Sequence, residues 1–326
     1  VSNSATPAAE STTPPPDEHI DTAAPLNAQP GDVAPEAVAR TNHWWKLPAF
    51  LLLAAATVVL IRVAPPSIEG DVTPSWYYFC VGAAVILVGI AKAGFGGGIG
   101  VLAVPLMAIV MLPTAMLGLL LPVLIAADIL SNAHYLKAYD WKRLSWLVYG
   151  AVGGVIVASI IIYFMKQSPP DEFNSTLKLI IGIVCLLVVA MQGFRLFGKE
   201  IPTLPTHPAS GIGVGFVAGG VSTLCHAAGP IVAIYLLQEK LPKRIFMGTI
   251  LLYFLLINTA KLPTFIYLGY INKQTLWDSI WFIPLLPMGT IAGAWMNKHI
   301  PEKPFAAIMY VAAGFTAVYM IYGAMA

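Results

Sequence analysis

The sequence predicts an all-α polytopic membrane protein made of two inverted repeats, each with a glycine-rich re-entrant hairpin of broken helices, plus an extra N-terminal transmembrane helix. Composition gives the first reason. Of 326 residues, 58% are hydrophobic and only 10% charged, and the mean hydropathy is +0.76. A soluble domain carries about 25% charged residues, so this chain cannot cover a water-facing surface. The second reason is a duplicated glycine cluster: Gly97-Gly98-Ile99-Gly100-Val101-Leu102 is echoed by Gly219-Gly220-Val221-Ser222-Thr223-Leu224, each inside a long apolar run. Glycines at membrane depth interrupt a helix, and the freed backbone groups survive only where they are buried in protein or line a cavity. Gly/Pro-interrupted segments at matching points of two halves point to a transporter's binding site.

The elements follow in chain order. Residues 1–43 are rich in Ala, Pro, Thr and Ser and predict a disordered tail, because they cannot bury enough surface to offset their ordering entropy. The tail has no apolar core of the kind a signal peptide carries. Trp44-Trp45-Lys46 marks a membrane interface, and residues 44–64 predict the extra helix. The first repeat, 75–197, holds the apolar runs Ser75–Leu112, Thr114–Leu136, Leu144–Met165 and Leu177–Phe194. The second, 209–326, holds Ser210–Leu237, Ile245–Gly269, Ser279–Met296 and Phe305–Ala326. A membrane helix needs about 20 residues. Ser75–Leu112 is too long for one simple span, and it and Ser210–Leu237 are both broken by glycine.

Loop charges supply the third reason. If every run were a simple crossing, Lys137/Lys142/Arg143 and Lys240/Lys243/Arg244 would fall on opposite sides, against the positive-inside rule. If the two glycine-broken runs are hairpins that leave on the side they entered, both clusters share one face with Arg195, Lys199, Lys298 and Lys303. Three crossings then separate the hairpins, so the repeats are inverted, with seven crossings in all. The repeat extends past the glycines: Leu112-Pro113 and Gly118 match Leu241-Pro242 and Gly248, which sets Asp128 against Asn258 and Ser131 against Lys261. The second copy carries three extra residues between Leu224 and Pro230, and they bring in His226.

These features resemble the TauE/SafE family of sulfite and organosulfonate exporters. The matching pieces are the glycine run and Val-Pro-Leu at Gly94–Leu106, the basic loop Tyr139-Asp140-Trp141-Lys142, and the block from Gly219 to Pro230. The resemblance spans roughly residues 76–323. It implies transport of small sulfur-containing anions across the plasma membrane, with no metal or organic cofactor. The expected partners are the anion and the lipid bilayer, and a homodimer is compatible with the sequence. Nothing resembles a nucleic-acid-binding module.

Deep inside the apolar runs polar charge is scarce, and the residues that carry it are Lys92, Asp128, His134, His226 and Lys261. A charge at a helix centre costs about 3 kcal/mol on insertion scales, so each is a functional candidate. Lys92 is either an ammonium that attracts the anion or a structural partner of Asp128. Lys261 lies too deep to reach the interface easily. Asp128, opposite Asn258, is either a coupling carboxylate or a counter-ion. His226 suits a proton step or plain hydrogen bonding, and His134 an interface. Gly96, Gly97, Gly98 and Gly100 permit close backbone approach, and N–H groups at a half-helix start favour anions. Ser222 and Thr223 can donate to sulfite or sulfonate oxygens. Side chains at Gly98 and Gly220 are expected to be harmful.

Rival readings fare worse. Another small oxyanion or carboxylate, or a channel rather than a carrier, would use similar residues. An intramembrane serine protease could pair Ser222 with His226, but needs the base within hydrogen-bond reach. A divalent-cation carrier would want clustered His, Cys or carboxylates. Cys80, Cys185 and Cys225 are scattered with no C-x-x-C pair and are expected to be buried thiols. The sequon Asn174-Ser175-Thr176 is expected in a loop.

Overall fold

The computed structural model describes residues 72–94, 99–133, 135, 138–196, 205 and 207–325. The predicted tail and the extra helix at 44–64 lie outside the described residues, as do His134 and the glycines Gly96, Gly97 and Gly98. Among the described residues the chain is all helical: α1 Pro74–Gly94, α2 Ala103–Met107, α3 Pro113–Asn132, α4 Trp141–Met165, α5 Pro170–Leu196, α6 Pro208–Cys225, α7 Gly229–Gln238, α8 Lys243–Tyr267, α9 Lys273–Phe282, α10 Leu286–His299 and α11 Glu302–Met325. Eight described segments are long and apolar enough to cross a membrane, with α9 and α10 forming one of them. At 1.5 Å per residue, α1 alone is about 31 Å long. The chain is a multi-pass membrane protein.

Several local expectations change. Gly219 and Gly220 do not break their run but lie inside α6; the break comes at His226–Ala228, before α7. His226 stops α6 in the left-handed region, at φ 53°, and Pro230 supplies a residue suited to the first turn of the next helix. In the first half, α1 is described to Gly94, and a 3-10 turn runs from Ile99 to Leu102 before α2. The run Ser279–Met296 is interrupted by a short 3-10 turn at Ile283–Leu285, where Pro284 and Pro287 remove backbone donors. The sequon sits in the first turns of α5 rather than in a loop. The three cysteines are free and buried, as expected.

Small residues set how the helices meet. A Cβ on Gly150 would fall 1.9 Å from the Ile212 carbonyl oxygen, and one on Gly154 would fall 2.0 Å from that of Phe216. Gly215 and Gly219 press equally closely on Leu147 and Ala151. Backbone-to-backbone approach of this kind drives helix association where lipid supplies no hydrophobic force. Contacts between α4 and α6 advance together along both chains, so these helices run parallel. The same holds for α1 and α10, where Gly89 meets Leu286 and Gly289, and Gly293 meets Ile90. In contrast, α5 and α11 are antiparallel: Lys178 lies against Gly323, and Gly182 against Ala317 and Ile321. The third pair, α3 and α8, is antiparallel as well. Gly118 touches the Tyr270 backbone just beyond α8, and Gly248 touches the Ala138 backbone just beyond α3.

The loop ends are tied by polar contacts. Asp140 caps α4 by accepting from Arg143 N at 3.0 Å, and Arg143 Nε donates to Glu239 at the end of α7 at 2.9 Å. The loops after α3 and after α7 therefore lie at the same end of the helices.

The glycine contacts generate a stability test. The nearest neighbour of a Cβ added at Gly220 is 3.8 Å away, so packing gives no reason for the intolerance expected there. Gly220→Ala should leave thermal stability in detergent unchanged or raise it by up to about 1 kcal/mol. Gly219→Val, aimed into the Ala151 carbonyl at 2.2 Å, should lower it by about 1–3 kcal/mol or more. Thermal unfolding followed by size-exclusion chromatography separates the two.

Candidate functional site

Two broken helices and two long ones bring the predicted polar residues together. Lys92 lies in the last turn of α1 and Asp128 near the end of α3, where it is fully buried. Lys92 Nζ donates to Asp128 Oδ1. The second carboxylate oxygen accepts from Asn258 Nδ2 at 2.7 Å. Asp128 and Asn258, matched by sequence across the two halves, thus bond to each other. Lys92 Nζ also lies 4.4 Å from the centroid of the Phe254 ring, on whose face a cation is attracted. Asn258 follows Phe254 by one turn of α8, so both reach the same point.

Lys261 has a different environment. It is completely buried on α8, and its Nζ lies 3.1 Å from Ser222 O, 3.0 Å from Ser222 Oγ and 3.0 Å from His226 Nδ1. An ammonium carries three donors, and here each meets an uncharged acceptor. Among the described residues no carboxylate lies within salt-bridge distance of Lys261. His226 Nε2 lies 3.3 Å from the Leu117 carbonyl oxygen on α3. That oxygen can only accept, which assigns the proton to Nε2 and leaves Nδ1 to accept from Lys261. His226 therefore links α6, α3 and α8 at the residue whose left-handed backbone ends α6. A non-glycine residue in that region costs roughly 1–2 kcal/mol, and the side-chain bonds hold it there.

These groups border a cavity of about 40 Å³. Lys92, Ser222, His226 and Asn258 form its polar wall, and Val88, Val104, Leu120, Leu124 and Phe254 an apolar one. Lys261 stands behind this wall. It donates to Ser222 Oγ, so the Ser222 proton is free to point into the cavity. Gly100 and Val101 border the cavity from the 3-10 turn before α2, and Ala227 and Gly229 border it at the break before α7. No side chain caps the start of α7 at Ala228, and the first N–H groups of a helix have no partner within it. The lining therefore brings an ammonium, a hydroxyl, an amide and the residues at the start of α7 to one small space. Donors of these kinds are able to hold an anion.

Of the residues expected from sequence, Lys92, Gly100, Ser222, His226 and Asn258 line the cavity. Asp128 and Lys261 support it from behind. Thr223 donates to the Gly219 carbonyl at 2.9 Å within its own helix and does not line it. Gly96, Gly97 and Gly98 lie outside the described residues. Phe254 and the start of α7 were not expected. Phe254 could have been found from its one-turn spacing to Asn258, and the helix start from the Gly229-Pro230 pair. Ser222 Oγ bonds to Lys261, and His226 has both ring nitrogens engaged elsewhere, so the serine–histidine pairing needed by a protease is not formed. Among the described residues no group of His, Cys, Asp and Glu could hold a metal ion.

A family model described as Sulfite exporter TauE/SafE matches residues 80–320. Comparisons with curated proteins and with solved structures give no match.

The buried pair yields a prediction. Removing one partner of a buried ion pair leaves an uncompensated charge, at about 3–5 kcal/mol, whereas replacing both with apolar groups is often neutral. Lys92→Met should lower the unfolding temperature in detergent markedly, and Lys92→Met/Asp128→Leu should recover most of that loss. Additive losses in the double variant would mean that the two side chains are not coupled.

Proposed function

The chain belongs to the TauE/SafE sulfite exporter family, and from that premise we propose that it is a secondary transporter moving a small sulfur-containing anion, sulfite or an organosulfonate, outward across the plasma membrane. The observation that carries this reading is the charge balance at the cavity. Lys92 and Asp128 neutralise each other, and Lys261 Nζ is met only by neutral acceptors. Held there as an ammonium, it is costly to bury unless a mobile anion completes it. Lys92 and the α7 start face the space directly, while Lys261 acts through Ser222 by leaving its hydroxyl free to donate.

The same reading includes two inverted repeats, α1–α5 and α6–α11. Its support is the direction of the contacts described above. Helices that correspond between the halves, α3 with α8 and α5 with α11, run antiparallel, as inversion requires. Lys92 and Asp128 lie near the C-terminal ends of α1 and α3, so those two helices run the same way, and the chain between them must return. Ser222 and Lys261 imply the same for α6 and α8. Broken helices meeting between inverted repeats suit alternating access around a fixed site. The protease reading gains nothing from the geometry, since the small cavity leaves no room for a peptide strand.

Two outcomes test this. In proteoliposomes, Ser222→Ala should reduce sulfite flux several-fold, matching about 0.5–1.5 kcal/mol for one hydrogen bond, and Lys261→Met should reduce it more than tenfold, both with normal insertion. Wild-type flux in both variants would remove the site. For topology, single cysteines at Lys142 and Lys240 should react with an impermeant reagent from one face and a cysteine at Ser168 from the other. Simple crossings by α1 and α6, without returning segments, would instead separate positions 142 and 240.

A further inference from the structure

The cavity discriminates by what its wall lacks. Among the described residues no aspartate or glutamate lines it. The nearest carboxylate, Asp128, is fully buried. One of its oxygens is taken by Lys92 and the other by Asn258, and it does not border the cavity. Among the described residues the one charged side chain that lines it is Lys92, and Val104, Leu120 and Leu124 belong to the same lining.

We propose that this site accepts compact sulfur oxyanions and rejects those that carry an ammonium group, so that amino-sulfonates are excluded although unsubstituted sulfonates of the same size are not. This rests on the anion-transport reading above and narrows its substrate class. An SO3 head group can meet Lys92, Ser222 and the N–H groups at the start of α7. Whatever the head is attached to then meets the rest of the lining, which includes Val104, Leu120 and Leu124. A methyl or hydroxyalkyl group does so at small cost. An ammonium there is stripped of water with no counter-charge, beside an apolar wall and within the field of Lys92 and Lys261, and both effects oppose it. Asp128 could compensate it only by giving up Lys92 or Asn258.

The probes are methanesulfonate, 2-hydroxyethanesulfonate and 2-aminoethanesulfonate, the last two alike in heavy-atom count and differing in hydroxyl against ammonium. Each competes against sulfite uptake in proteoliposomes at neutral pH. Methanesulfonate should compete, and the hydroxy compound should compete at least tenfold better than the amino compound. In Leu120→Ala, whose apolar wall is cut back, the hydroxy compound should gain and the amino compound should not. In Lys92→Met, which uncovers Asp128, the ratio between the two should fall. Equal competition by the hydroxy and amino compounds in the wild type overturns the proposal. So does failure of both in the wild type and in Leu120→Ala, which would make size the sole filter. Absence of sulfite flux in the wild type would instead refute the transport reading itself.

Discussion

A charge inside an apolar helix bundle must find a partner, and the two buried lysines meet that demand in different ways. Lys92 takes a carboxylate. Lys261 takes a serine hydroxyl, a serine carbonyl and a histidine nitrogen, all neutral. Much of the local structure follows from the second solution. Ser222 and His226 lie one turn apart at the end of α6, so a single ammonium on α8 can reach both. His226 then turns the chain out of the helix and fastens the break to the Leu117 carbonyl of α3. The helix end, the start of α7 and the cavity between them are held by one side chain from the opposite element.

The scaffold that allows this is made of glycine. Where α4 meets α6 and where α1 meets α10, backbone lies on backbone with no room for a Cβ. These parallel contacts fix the broken helices against unbroken neighbours or, for α10, against one resumed after a proline turn. Gly118 and Gly248 do the equivalent work for α3 and α8, each seating its helix on the loop that follows the other. The long helices that carry Asp128, Asn258 and Lys261 are thereby pinned at both ends. A rigid frame of that kind makes small polar displacements at the breaks consequential, because the packed interfaces cannot deform smoothly.

Much of this was legible in the sequence, for identifiable reasons. Membrane residence follows from composition, and the rarity of charge in apolar runs isolates Lys92, Asp128, His226 and Lys261 as candidates. The match of Gly118 with Gly248 and of Asp128 with Asn258 correctly pairs elements that meet in space. The second break was misread because Gly219-Gly220 looks like an interruption. Inside a membrane bundle a glycine pair serves close packing as readily as a turn, and only the neighbouring helix α4 decides between them. The break falls instead on His226, whose left-handed backbone is accompanied by side-chain bonds to two other helices. The retreat of Lys261 behind Ser222 is a matter of tertiary distance, which periodicity does not encode.

The central claim is that a compact oxyanion lodges between Lys92, Ser222 and the start of α7. Selenite has the pyramidal trioxo shape of sulfite and a strong anomalous signal, so diffraction from the protein with bound selenite reports its position directly. The account predicts one selenium peak in the cavity, within hydrogen-bonding reach of Lys92 Nζ and Ser222 Oγ through its oxygens, and its loss in Lys92→Met/Asp128→Leu crystals. A selenium peak elsewhere in the bundle, with the cavity empty at saturating selenite, would contradict it.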